Sequence, residues 1–130
     1  MREGLLIVIS GPAGTGKGTV VGRLLEKNPN IKLSISKTTR KPRPGEKEGV
    51  NYFFVSREQF EEEIKNERFL EYAEYNNNYY GTPKDFVFEA LEKGFDVILE
   101  IETKGALQIK KVFSDAVLIF LLPPSIEELY

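Results

Sequence analysis

Apolar residues along the chain alternate between continuous runs and helical spacing, the pattern of strands followed by helices. Residues 5–10 form an apolar run that predicts a strand buried on both faces, and residues 17–27 repeat apolar side chains at helical spacing. The succession returns later, where predicted strands at 96–101 and 116–122, the second also expected to be buried, flank a helix at 103–113. This β–α–β order predicts an α/β fold, a parallel sheet core with covering helices.

The middle of the chain has a different character, with many aromatic residues and short turns. We expect residues 36–82 to form an inserted antiparallel subdomain on a core made of residues 1–35 and 83–130. The predicted elements there are strands at 33–36 and 52–55, a helix at 57–66 capped by Ser56 with Gln59, a hairpin of residues 69–75 and 79–81 about three asparagines, and a helix from Pro83 to about Lys93.

A glycine-rich loop joins the first strand to the first helix. It meets the pattern G-x-x-x-x-G-K at Gly11, Gly16 and Lys17. Glycines let backbone N–H groups turn toward phosphates, the helix N-terminus adds partial positive charge, and the lysine adds a full one. The alternative is a turn without a ligand, but a turn needs one glycine rather than three and a lysine. The loop therefore predicts a nucleotide phosphate site.

Composition excludes several classes of chemistry. The chain has neither cysteine nor histidine, which removes disulfides, cysteine nucleophiles, histidine bases and Cys/His zinc sites. The net charge of −2 offers no general attraction for nucleic acid or an anionic membrane. We expect no signal peptide and no membrane partner, and a cytoplasmic location is compatible with the lack of cysteine.

A second anion site is predicted in the charged loop after residue 36. Arg40 and Arg43 lie on a segment stiffened by Pro42 and Pro44, and guanidinium groups suit phosphate because they donate paired hydrogen bonds. Tyr52 and Tyr80 can add hydroxyl donors. The alternative is a solvated basic loop, the usual role of a run of charge.

Four blocks of this chain closely resemble the guanylate kinase family of nucleoside monophosphate kinases, which have the P-loop NTPase fold. They are GPAGTGKGT (11–19), SISKTTRKPRPGEKEGVNYFF (34–54), FLEYAEYNNNYYGTP (69–83) and VILEIETKGALQIK (97–110). The resemblance implies transfer of the γ-phosphoryl group from ATP to GMP, with Mg²⁺. It implies that the insert binds GMP and that the catalytic residues are Lys17, Arg40 and Arg43.

The resemblance also assigns the binding residues. The ATP-binding set is Gly11, Pro12, Ala13, Gly14, Thr15, Gly16, Lys17, Gly18 and Thr19. The GMP-binding set is Ser36, Arg40, Arg43, Tyr52, Glu71, Tyr80, Thr82 and Glu102. Ser36, Glu71 and Thr82 are expected to read guanine, whose N1–H and N2–H₂ donors suit a carboxylate. Without the resemblance, Glu71 would be interpreted as an ordinary surface glutamate.

The expected magnesium contacts depart from the usual pattern. Gly18 stands where Ser or Thr usually holds the metal, so Thr19 is the nearest hydroxyl. Glu100 and Glu102 come at the end of a predicted parallel strand, where carboxylates lie beside the ligand crevice, and we expect Glu100 to hold the metal directly or through water. Solvated charge at a strand end is the alternative. The family more often has Asp where this chain has Glu102.

Two other functions stay open from the sequence. One is a non-catalytic guanylate-kinase-like binding module, and the other is a kinase for another nucleoside monophosphate such as AMP. The arginine-bearing lid of the family normally follows the region where this sequence ends, and no Arg or Lys follows Leu122. We therefore expect these residues to bind nucleotides but to transfer phosphate poorly, as a monomer or weak homo-oligomer.

Overall fold

The chain forms two compact units, each with its own sheet. A computed structural model describes residues 4–11 and 17–121, apart from the side chain of Lys17. The elements are β1 (Leu6–Ser10), α1 (Lys17–Lys27), β2 (Ile31–Leu33), β3 (Lys37–Thr38), β4 (Phe53–Phe54), α2 (Arg57–Lys65), β5 (Phe69–Tyr75), β6 (Asn78–Pro83), α3 (Lys84–Glu92), β7 (Asp96–Glu100), α4 (Thr103–Val112) and β8 (Val117–Phe120).

The first unit comprises the described residues up to Leu33 and those from Ala90 onward. Its strands pair in parallel in the order β2-β7-β1-β8, as predicted for a parallel core. The two central strands supply fully buried side chains, and Ile9, Ile98 and Val21 of α1 form one apolar cluster. This packing fixes the carboxyl ends of β1 and β7 side by side.

The second unit, Ser34–Glu89, holds a mixed sheet in the order β4-β3-β6-β5. The pairs β3–β6 and β5–β6 are antiparallel, as predicted, while β3–β4 is parallel. The hairpin turns at Asn76 and Asn77, which both have positive φ and so suit a type I′ turn. Ser56 caps α2 by accepting a hydrogen bond from the Gln59 N–H at 3.1 Å, as the capping motif predicts.

The predicted strand at 33–36 is wrong. β2 ends at Leu33 and β3 begins at Lys37, while Ser34–Ser36 belong to neither strand. β2 pairs with β7 in the first sheet, and β3 pairs with β4 and β6 in the second. The alternating segment therefore lies where the chain passes from one sheet to the other, and its residues are not part of a described strand in either sheet.

Three further predictions of element detail are also corrected. Pro83 is the last residue of β6 rather than the first turn of α3, and β7 ends at Glu100 instead of residue 101. β8 was expected to be buried, but Val117, Ile119 and Phe120 are exposed. Among the described strands β8 pairs only with β1, so it forms an edge. No helix within residues 4–11 and 17–121 combines the length and apolar character that crossing a membrane requires.

Candidate functional site

The glycine-rich loop lies in the strand–loop–helix setting that the sequence predicts. β1 ends at Ser10, Gly11 follows, and α1 begins at Lys17. Gly18 and Thr19 are exposed in the first turn of α1, which contains no acidic residue. The positive end of this helix is therefore not neutralised within its own first turn. Pro12, Ala13, Gly14, Thr15, Gly16 and the side chain of Lys17 lie outside the described residues.

Glu100 lies at the carboxyl end of β7, beside the strand that leads into the glycine-rich loop. In the register of the parallel sheet, Ile9 is the partner of Glu100. Glu100 is exposed, so its carboxylate is accessible to solvent. Glu102 is also exposed and is the N-cap residue of α4, but its side chain makes no capping hydrogen bond. The two carboxylates are thus split between a strand end and a helix start.

No group of three or more acidic, histidine or cysteine residues within the described part of the chain could form a metal site on its own. Magnesium that travels with a nucleotide needs only one or two protein oxygens, because phosphates and water supply the others. A single exposed carboxylate such as Glu100 fits that requirement, and a cage made only of protein ligands does not fit these residues.

In the second unit, Arg40 is held by a carboxylate from its own loop. Its Nη1 and Nη2 atoms donate to the two oxygens of Glu46 at 2.8 and 3.0 Å, and Nη1 also donates to the Lys41 carbonyl at 3.0 Å. The hydrogen bond to Glu46 raises the pKa of Arg40 above its usual range, against a smaller opposing effect of burial, and a hydrogen bond with Tyr80 adds to the rise. The guanidinium is therefore a permanent and oriented cation.

Two tyrosines border this guanidinium. Arg40 lies 5.2 Å from the centre of the Tyr52 ring, and the Tyr52 and Tyr80 rings meet edge to face at 6.0 Å. Burial raises the pKa of the Tyr52 hydroxyl, against a smaller opposing effect of its hydrogen bond to Arg40. Tyr52 therefore keeps its proton at neutral pH and can donate it. The structure thus brings together three of the residues predicted to hold a phosphate.

Arg43 lies in the same loop, but its side chain is exposed. Its backbone forms a turn with Glu46: the Glu46 N–H donates to the Arg43 carbonyl at 3.0 Å, and the Arg43 N–H donates to Glu46 Oε1 at 2.8 Å. Gly45, with φ of 86°, takes the position that needs a left-handed conformation. Arg43 thus has a fixed backbone, while its side chain extends into solvent.

The hairpin holds a buried carboxylate, Glu71, on β5. Its exposed fraction is 7%, and that of its cross-strand partner Thr82 is 1%. The Thr82 hydroxyl donates to Glu71 Oε1 at 2.8 Å. Burial raises the pKa of Glu71, and the hydrogen bond from Thr82 partly opposes this. A surface glutamate would have neither property, so this carboxylate occupies a site that disfavours its charge.

Ser36 lies just before β3, and its side chain is half-buried. Its carbonyl accepts a hydrogen bond from the Phe53 N–H at 2.9 Å, which ties this segment to β4. Of the residues predicted to bind GMP, all but Glu102 belong to the unit Ser34–Glu89.

The sequence analysis assigned no role to two residues that shape this region. Glu46 holds Arg40, and Thr38, fully buried, donates to the Tyr79 carbonyl at 2.8 Å and accepts from the Arg40 N–H at 3.2 Å. The only sequence signal for Glu46 is an acidic residue inside a basic loop. Thr38 gives no signal, because its partner on β6 is distant in the chain.

Comparisons with known proteins agree on one family. The family model for guanylate kinase matches residues 3–130. The guanylate kinase of Clostridioides difficile (strain 630) is 60% identical over 129 residues, which are 99% of this chain and 63% of that protein. The guanylate kinase of Shouchella clausii (strain KSM-K16) is 60% identical over 128 residues, covering 98% of this chain and 62% of that protein.

A solved structure gives the same result for the fold. The crystal structure of guanylate kinase from Anaplasma phagocytophilum matches with a TM-score of 0.85 and 39% sequence identity. The match covers 99% of this chain and 65% of that one. The chain thus spans less than two thirds of the length of these relatives. Its α/β fold, with a second mixed sheet, is that of the Anaplasma phagocytophilum structure over the matched region.

Proposed function

The chain belongs to the guanylate kinase family, and on that premise we propose that the protein transfers the γ-phosphoryl group of ATP to GMP, giving ADP and GDP. The observation that carries this proposal is the buried Glu71 carboxylate, which shares one unit with the Arg40–Tyr52–Tyr80 cluster. Recognition of a nucleoside monophosphate needs one group that binds the base and another that binds the phosphate. We propose that they lie in the subdomain of residues 36–82.

Glu71 distinguishes guanine from adenine in this proposal. Guanine presents N1–H and N2–H₂ as adjacent donors, and one carboxylate can accept from both. Adenine presents no such pair and would leave the buried carboxylate unsatisfied, at a cost on the order of 1–3 kcal/mol. Thr82 has one hydroxyl hydrogen, which it donates in a hydrogen bond to Glu71, and this bond orients the carboxylate. Ser36 supplies a further hydroxyl for the base.

Arg40, Tyr52 and Tyr80 hold the phosphate of GMP, and Arg43 joins them from the exposed side of the loop. The guanidinium donates paired hydrogen bonds and the phenols donate single ones. The oriented guanidinium offsets negative charge on the phosphate, and the neutral phenols donate hydrogen bonds to it. One phosphate oxygen is left free to act as the acceptor. No general base is required, because the phosphate of GMP is already anionic at neutral pH.

ATP binds at residues 11–19, where backbone N–H groups, the N-terminus of α1 and Lys17 meet its phosphates. Mg²⁺ arrives with ATP, and Glu100, with Thr19, would contact it directly or through water. When bound, the metal neutralises charge that develops on the transferring phosphoryl group. The roles of Lys17, Glu100 and Glu102 are inferred from the motif and from family membership. We also propose nucleotides as the only partners and a cytoplasmic location.

Calorimetric titration of the chain with GMP, AMP and ATP tests the proposal. We expect saturable binding of GMP and of ATP, and binding of AMP weaker by about 5- to 150-fold because of the unsatisfied carboxylate. Binding of ATP without binding of GMP would contradict the assignment of the insert. Equal affinity for GMP and AMP would contradict the role of Glu71.

A further inference from the structure

Glu46 is the one carboxylate among the described residues that hydrogen-bonds to Arg40. Its two oxygens accept from both terminal nitrogens of the guanidinium, and one of them also accepts from the Arg43 N–H. Its side chain is 19% exposed and that of Arg40 is 12% exposed, so the pair is partly shielded from solvent. Glu46 therefore lies inside the proposed phosphate site although its carboxylate has the same sign of charge as the phosphate.

The contacts of Arg40 show which of its donors remain. A guanidinium has five N–H groups. Both hydrogens on Nη1 and one on Nη2 are used by Glu46 and the Lys41 carbonyl. The Nε–H and the second Nη2 hydrogen lie on the other edge of the plane, where no carboxylate or carbonyl of the described residues receives them. The groups that hydrogen-bond to the guanidinium besides these are the hydroxyls of Tyr52 and Tyr80, which are themselves proposed to hold the phosphate. That edge can still receive a phosphate bidentately while the carboxylate keeps the other edge.

The loop itself fixes the carboxylate of Glu46. The turn Arg43–Glu46 is closed by the Glu46 N–H, and the side chain returns to the Arg43 N–H. Pro44 and the left-handed Gly45 stiffen the turn between them. An incoming anion could displace this carboxylate only by breaking the hydrogen bonds of the turn Arg43–Glu46. Glu46 is therefore a fixed part of the loop that a bound phosphate would not replace.

We propose that Glu46 is a positioning residue for GMP binding: it locks the Arg40 guanidinium so that the Nε–Nη2 edge, on the side away from the carboxylate, is presented to the phosphate of the nucleotide. This inference rests on the proposed function. Glu46 acts through Arg40 and does not contact the nucleotide itself. Because an arginine side chain loses much rotamer freedom when it binds, fixing it beforehand removes part of that cost.

Simple electrostatics makes the opposite prediction, which gives the test its direction. The Arg40–Glu46 pair is neutral overall, so neutralising Glu46 adds positive charge to the site. If charge alone governed binding, Glu46→Gln would bind GMP more tightly. Positioning predicts weaker binding, since Gln offers one acceptor oxygen and sets an N–H₂ group against the guanidinium.

The experiment measures GMP and guanosine binding by calorimetry in the wild-type chain, Glu46→Gln and Glu46→Asp. We expect Glu46→Gln to weaken GMP about tenfold and to leave guanosine unchanged, with Glu46→Asp in between. Glu48→Gln is the matched control: Glu48 lies in the same loop, and its side chain accepts the Phe54 N–H at 2.8 Å, a hydrogen bond that an amide oxygen can also accept.

A double-mutant cycle tests whether the effect passes through Arg40. In an Arg40→Met background, Glu46→Gln should cause no further loss of GMP affinity. Equal or tighter GMP binding by Glu46→Gln, an equal loss for guanosine, or an undiminished effect without Arg40 would each overturn the inference and leave the proposed function standing. Failure of the wild-type chain to bind GMP would overturn both.

Discussion

Glu71 combines two properties that oppose each other in the free protein. It is buried, which raises its pKa, and among the described residues the Thr82 hydroxyl is the hydrogen-bond donor that compensates for the lost water. In complex with guanine, two further donors would satisfy the carboxylate. A residue that is unfavourable without its ligand and favourable with it is typical of a binding site. Two predictions at the scale of the residue follow from this conflict.

The first prediction concerns ligand affinity. Glu71→Gln keeps the shape of the side chain but loses the charge and one acceptor, so GMP affinity should fall by about 10- to 100-fold. Wild-type GMP affinity should also decline as the pH falls through the raised pKa of Glu71, because the protonated carboxyl accepts fewer hydrogen bonds. Calorimetry across acidic to neutral pH checks both effects. A GMP affinity that is equal in the two proteins would remove Glu71 from the site.

The second prediction concerns stability without ligand. The pKa of Glu71 is higher in the folded chain than in the unfolded chain, so the folded state binds more protons between the two pKa values, and stability falls as pH rises through that window. At neutral pH, Glu71→Gln should therefore have a higher Tm than the wild type. The difference should shrink at pH values below the ordinary carboxyl pKa. Thermal melts at several pH values measure it, and a lower Tm for the variant at neutral pH would contradict the prediction.

At the scale of elements, the hairpin is held against α2 by stacked aromatic rings. Phe60 of α2 stacks on Phe69 of β5 at 4.3 Å and on Tyr79 of β6 at 4.9 Å between ring centres. Arg57 covers the Tyr79 ring at 4.5 Å. This stack supports the strands that carry Glu71 and Thr82. The residues proposed to bind guanine thus depend on packing between side chains to which no binding role is assigned.

The third prediction uses the glycine beneath this stack. A Cβ on Gly81 would lie 2.8 Å from Phe69 Cδ1 and 3.0 Å from Phe60 Cζ, closer than rings packed in a stack can accommodate. Gly81→Ala should lower the free energy of unfolding by about 1–3 kcal/mol, as overpacking does. Urea denaturation measures the change.

Gly22→Ala is the control for this substitution. A Cβ at Gly22, in the middle of α1, would meet nothing within 4 Å. Alanine is the better helix former, so Gly22→Ala should raise stability by about 0.5–1 kcal/mol. If Gly81→Ala were equally stabilising, the tight packing at the base of the hairpin would be refuted.

At the scale of the whole molecule, the residues proposed to bind nucleotides fall into two units. The glycine-rich loop and Glu100 belong to the unit that contains β1 and β7, and the arginine loop with Glu71 belongs to Ser34–Glu89. The net charge is only −2, so neither proposed anion site arises from overall charge. Each depends on a few groups that local structure orients.

The fourth prediction follows from this division. In hydrogen exchange, GMP should slow the amides of Ser34–Glu89, and ATP with magnesium should slow those around residues 11–27. Ligand at 100 times its Kd stabilises the binding-competent state by about 2.7 kcal/mol, so exchange through local opening should slow by up to about 100-fold. AMP serves as the comparison ligand for the second unit. Protection by GMP confined to residues outside 34–89 would contradict the assignment.

The sequence by itself determined those features whose local conformation depends on only a few consecutive residues. The Ser56 cap, the asparagine turn at 76–77 and the strand–loop–helix around Gly11 are local, because propensity, turn chemistry and capping act over a few positions. The alternation of strands and helices also predicted the α/β class. The resemblance to a known family extended this to expected site residues, whose roles stay predictions.

Tertiary structure decided what depends on contacts between distant parts of the chain. The alternation at 33–36 could not show that the strands before and after it belong to two different sheets. The apolar run of β8 could not show that this strand is exposed and lies at the edge of the sheet formed by the described strands. The burial of Glu71 depends on Thr82 across the hairpin, and the grip of Glu46 on Arg40 depends on a closed turn. Burial and strand pairing depend on contacts between residues that are distant in the sequence. A pattern of neighbouring residues does not show which of these contacts form.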